Sequence, residues 1–105
     1  MSLSTHVLDA SRGTPAAGVS VRLTTMGGQE LAAAVTDADG RVRDLGALMA
    51  GDYRLEFATG EYFAANGQQG FYPEVVVTFT VTDPGQHHHV PLLLSPYAYS
   101  TYRGS

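Results

Sequence analysis

The chain has 105 residues, 44% of them hydrophobic and 15% charged, and its six basic and ten acidic residues leave a formal net charge of −4. That is the balance of one folded domain over residues 1–105, with no room for a second and none of the charge excess of a disordered segment. The basic residues are spread thinly, which excludes a nucleic-acid stripe; the absence of cysteine excludes disulfides and thiolate zinc sites; and no apolar run reaches the ~20 residues of a membrane helix.

Taken in chain order, the first strand is predicted over Thr5–Ala10 and ends at Ser11-Arg12-Gly13-Thr14-Pro15. Val19, Val21 and Leu23 then alternate with Ser20, Arg22 and Thr24, the two-residue period of a half-buried strand. Met26-Gly27-Gly28 turns the chain into a strand over Glu30–Thr36, and Asp37-Ala38-Asp39-Gly40 turns it again into Arg41–Leu45. After Ala50-Gly51-Asp52, Tyr53, Leu55 and Phe57 alternate with Arg54 and Glu56. The one helical stretch is Gly60–Asn66, with Gly67 placed to stop it. The clearest strand is Glu74–Thr82: Val75, Val77, Phe79 and Val81 share one face, and β-branched residues fill the other. It stops at Asp83-Pro84-Gly85, and the last strands are His88–Leu94 and Tyr97–Tyr102, divided by Ser95-Pro96. Many short strands and one short helix predict an all-β, antiparallel β-sandwich.

Four positions could carry chemistry. His6 shares a strand face with Leu8 and Ala10; alone, it reads equally as a surface histidine or one satisfied by a backbone carbonyl. In His87-His88-His89 the outer two share a face and the middle one faces away. Two such histidines need a third ligand to hold a metal, and neither HExxH nor a cysteine pair is present, so no metal site is expected. Asp37 and Asp39 begin like a calcium loop but lack its final glutamate and its flanking helices. Arg41 follows Asp39-Gly40 directly, and the tail Tyr102-Arg103-Gly104-Ser105 follows an aromatic strand that should anchor it.

Together these segments resemble a known family. STHVLDASRGTPAAGVSV resembles the opening of a transthyretin-like domain, TDADGR its second signature, and HHHVPLLLSPYAYSTYRGS its third, ending in the YRGS tail of the 5-hydroxyisourate hydrolase branch. Many members carry an aromatic residue where this chain has His88. The resemblance implies two four-stranded sheets with one short helix, assembled as a homotetramer, a dimer of dimers whose central channel holds the sites. It implies a purine-derived small-molecule substrate, 5-hydroxyisourate, whose cyclic amide is opened by water. His6, Arg41, His89 and Ser105 would be catalytic, and His6, Arg41 and Tyr102 would bind the substrate. No metal or organic cofactor is implied.

Histidine suits water activation and proton return because its ordinary pKa is about 6.5. Arginine suits developing negative charge because it is permanently charged and forked. Strand parity places His6, Leu8, His89, Pro91, Leu93, Ser100 and Tyr102 on the channel face and Val7, Val90 and Leu92 inside. A non-catalytic carrier of small ligands is the alternative, and it would require loss of the histidines or the tail. The first residues lack a secretory pattern and the last lack a peroxisomal ending, so the cytoplasm is the expected compartment. Met1-Ser2-Leu3 can be read as native or as added.

Overall fold

The computed structural model describes residues 2–105; Met1 lies outside them. Its strands are β1 (Leu3–Asp9), β2 (Thr14–Pro15), β3 (Ser20–Thr25), β4 (Glu30–Val35), β5 (Arg41–Val42), β6 (Gly51–Phe57), β7 (Val75–Val81), β8 (His88–Ser95) and β9 (Ala98–Thr101), with the helix α1 at Thr59–Ala65. One sheet has the order β4-β3-β6-β7 and is antiparallel throughout. The other has the order β2-β1-β8-β9, with β5 also on β1.

The sandwich is the predicted one, with two differences in detail. The second sheet contains five strands, not four. β5 pairs with Thr5 and His6, while β2 pairs with Leu8 and Asp9, so the two short strands share one edge of β1. They are divided at Val7, whose N–H donates to the Gly40 carbonyl and whose own carbonyl accepts from Ala16. In addition, β1 and β8 are parallel, from Leu3 beside His88 to Asp9 beside Leu94. A parallel pair needs a long crossover, and here the other sheet and the helix supply it.

The predicted strand Arg41–Leu45 is regular only to Val42, because the Asp44 carboxylate accepts from Gly46 N–H and bends the chain. The strand is not lost to the sheet, since Leu45 N–H donates back to the Leu3 carbonyl. The two-residue period explains the core. Leu3, Val7, Val90, Leu92 and Leu94 of one sheet meet Val21, Leu23, Leu55, Phe57 and Val75 of the other. Phe63 and Tyr62 of α1 close the same core. No helix among the described residues is long and apolar enough to cross a membrane.

One charged group is buried at the end of β1. Asp9 is 1% exposed, and its carboxylate accepts from the Ser11 and Arg12 amides, the Ser11 hydroxyl and the Tyr62 hydroxyl. Burial favours the neutral acid, but the hydrogen bonds from Ser11, Tyr62 and Arg12 outweigh it and hold the pKa below the usual carboxylate value. Stability from this group is therefore fully present above the unfolded carboxylate value of about 3.9 and is lost as pH falls through the lower folded value. Tyr62→Phe removes one donor to the carboxylate and is expected to lower stability by about 1–2 kcal/mol in urea denaturation. An unchanged midpoint would show the hydroxyl to be dispensable.

Candidate active site

The outward face of the five-stranded sheet carries the chemistry. Across β1, His6 lies beside Arg41 of β5 on one side and Pro91 of β8 on the other. One pleat away, Ser4 lies beside His89. His6, Arg41 and His89 are each partly buried and share this face, which strand parity predicted for the two histidines. His88 points the other way, 7% exposed, into the sandwich.

Arg41 is placed by the loop before it. The Asp37 carboxylate accepts from the amides of Asp39 and Arg41, and the Asp37 carbonyl accepts from Gly40. Those amides, Arg41's first, together with the Arg43 and Arg41 charges outweigh the opposing effect of burial and lower the Asp37 pKa. Gly40 has φ of +75°, a left-handed conformation suited to glycine, and packs on Val7 beside His6. The Asp39 carbonyl in turn lies 2.9 Å from His6 Nε2. A carbonyl only accepts, so Nε2 carries the proton and Nδ1 of neutral His6 presents its lone pair.

His89 is held from two sides. Its Nδ1 is 2.7 Å from Ser4 Oγ, and its carbonyl accepts from Gly104 N–H at 2.9 Å. Gly104 lies directly opposite His89 across the strand edge, so the tail is laid against the imidazole. Burial first, then the charges of Arg41, His87 and His6, push the His89 pKa below the usual histidine value. His89 is thus neutral near neutral pH, with Nδ1 engaged and Nε2 free.

The other expected site residues are less closely tied. Tyr102 is 57% exposed and borders a hollow of about 300 Å³ with Val77, Phe79, His88 and His89. A separate hollow of about 110 Å³ adjoins Arg41, with Ser4 and Arg43 also in its wall. Ser105 is exposed beyond Gly104. Two members of the constellation were given no role in the site from sequence: Ser4, and His87, which reaches Ser4 Oγ through Nε2 at 2.8 Å. Each stands two residues before a chosen histidine, so parity was the available signal. A wider surface hollow, about 670 Å³, lies on the other sheet around Ala33, Ala34, Phe57 and the Arg22–Glu56 ion pair. It is a broad open depression whose lining includes Glu56, Glu61 and Glu74 and no histidine.

Residues 3–104 match the HIUase/Transthyretin family. The chain belongs to that family. A 5-hydroxyisourate hydrolase of Caulobacter vibrioides is 51% identical, the match covering 98% of this chain and 97% of the relative. The solved structure of Klebsiella pneumoniae 5-hydroxyisourate hydrolase is 44% identical, with a TM-score of 0.92 over 100% of both chains. Sea bream transthyretin, solved in complex with thyroxine, is 35% identical with a TM-score of 0.91, covering 99% of this chain and 95% of that one. The HIUase/transthyretin scaffold is therefore common to named hydrolases and to a ligand-bound transthyretin, and the side chains on the outward face must distinguish the two uses.

Proposed function

We propose that this chain hydrolyses 5-hydroxyisourate to 2-oxo-4-hydroxy-4-carboxy-5-ureidoimidazoline, a step of urate breakdown. The observation that carries this reading is the convergence of His6, Arg41 and His89 on one sheet face, with the YRGS tail laid against His89. Relatives named for that activity match over nearly their whole length.

In the proposed reaction, His89 Nε2 takes a proton as water adds to the ring carbonyl carbon. The Arg41 guanidinium stabilises the resulting oxyanion. The C–N bond then breaks, and the proton returns from His89 to the leaving nitrogen. His6 Nδ1 accepts a hydrogen bond from the water or from a substrate N–H and orients it. Tyr102 packs against the flat ring, and Ser105 orients the water or a histidine. No metal or organic cofactor enters the scheme.

A homotetramer, a dimer of dimers, is the assembly we propose. β7 and β9 each end a sheet with a free edge, and β9 is exposed at all four residues. Tyr99 within it and Tyr97 and Tyr102 flanking it are exposed, and such edges are commonly covered in symmetric assemblies.

Ultraviolet absorbance of freshly generated 5-hydroxyisourate tests the activity. Full-length protein should speed its loss well beyond spontaneous decay, whereas a carrier would bind without turnover. Removing Arg103-Gly104-Ser105 should lower kcat/KM tenfold or more, roughly 1.4 kcal/mol of transition-state stabilisation, and leave the melting temperature nearly unchanged. Wild-type turnover in the truncated form would remove the tail from the site. The pH profile is a further check. His89 must be neutral to act, and its pKa is lowered, so kcat/KM should begin its acid decline below about 6.5. An acid limb above 6.5 would contradict the assignment.

A further inference from the structure

Ser4 Oγ stands 2.7 Å from His89 Nδ1 and 2.8 Å from His87 Nε2, and His87 Nδ1 is 3.1 Å from Ser2 Oγ. Ser4 is 8% exposed, whereas His87 is exposed. A serine hydroxyl has one proton, so it donates to one of these imidazoles and accepts from the other. The protonation states of the two rings are therefore locked together. We infer that Ser4 and His87 are positioning residues that relay a proton between His89 Nδ1 and solvent as His89 Nε2 exchanges one with the reacting water.

This inference rests on the reading of His89 as the base. In the resting state His89 Nδ1–H donates to Ser4 Oγ, and the Ser4 O–H donates to His87 Nε2. When water gives a proton to His89 Nε2, the Nδ1 proton moves to Ser4 Oγ and the Ser4 proton moves to His87 Nε2. Two O–H bonds and one N–H bond break, and two N–H bonds and one O–H bond form. The positive charge thereby appears on His87, which solvent reaches, and His89 stays neutral.

The benefit lies in what faces His89. Arg41 of β5, His6 of β1 and His87 of its own segment all disfavour a second positive charge there, as does burial. Without a relay, the imidazolium would form next to the guanidinium that must stabilise the oxyanion. With the relay, the base takes its proton and Arg41 keeps an undiminished field at the oxyanion.

The test uses full-length wild-type protein and the variants Ser4→Ala, Ser4→Thr and His87→Gln. Circular dichroism and melting establish folding; His87→Gln, at an exposed position, keeps the test decisive should Ser4→Ala fail to fold. Expected results for Ser4→Ala and His87→Gln are a kcat lowered on the order of tenfold with KM little changed, and partial rescue by added imidazole buffer. The proton inventory in mixed H₂O and D₂O should be curved for wild type, where several protons move, and linear for both variants. Ser4→Thr, which restores a hydroxyl, should recover most of kcat and the curvature. Wild-type kcat and an unchanged proton inventory in folded His87→Gln would overturn the relay and leave the hydrolase reading intact. Failure of the wild-type protein itself to hydrolyse 5-hydroxyisourate would overturn the hydrolase reading and the relay with it.

Discussion

Gly104→Ala is expected to lower kcat/KM by about a hundredfold, ~2.7 kcal/mol, with the melting temperature nearly unchanged. The backbone at Gly104 has no positive φ, so alanine brings no conformational strain. Its Cβ, however, would lie 2.5 Å from His89 Cδ2 and 3.2 Å from both His89 Cγ and Pro91 Cγ. The ring cannot swing away freely, because its Nδ1 is held by Ser4. Either the imidazole shifts off Ser4 or the tail lifts from β8, and each outcome misplaces a group by about the ångström that costs a site a hundredfold in rate. The hydrophobic core lies on the opposite side of the sheet and does not sense the change. Parallel kinetics and melting of the variant decide the matter. Wild-type turnover would show that the tail does not confine His89.

Gly40→Ala should behave differently, losing stability and activity together. At φ of +75° an alanine is strained by about 1–2 kcal/mol. The added Cβ would also collide with the Val7 carbonyl oxygen and stand 3.1 Å from the Ala16 amide nitrogen. Those groups form the Ala16-to-Val7 hydrogen bond that joins the loop region to β1. A loss of roughly 2–4 kcal/mol is expected, read from urea denaturation. Gly18→Ala is the control: it has φ of +80° with nothing near its Cβ position, so only the strain of about 1 kcal/mol should appear. Equal losses at the two positions would show that the close packing on Val7 is unimportant. Because Arg41 is the next residue and His6 donates to the Asp39 carbonyl, surviving folded Gly40→Ala protein should also turn over more slowly.

The face on which each candidate histidine stands was legible in the sequence. Val7, Val90 and Leu92 are interior while His6 and His89 face outward, because successive strand side chains alternate whatever the strand pairs with. Turn chemistry likewise located the loop that presents Arg41, since Asp37 and Gly40 supply the carboxylate and the left-handed backbone the loop needs. Alternation carries no information about direction or partner, so the parallel pairing of β1 with β8 was hidden. Ser4 becomes the bridge between His87 and His89 only through that pairing, across 83 and 85 residues of chain. The same is true of Gly104: its value as the residue that leaves room for the His89 ring depends on the tail continuing the β8–β9 register down to His89. Local periodicity assigns side chains to faces, whereas contact between strands distant in sequence is set by how two faces pack, and that decision belongs to the tertiary structure.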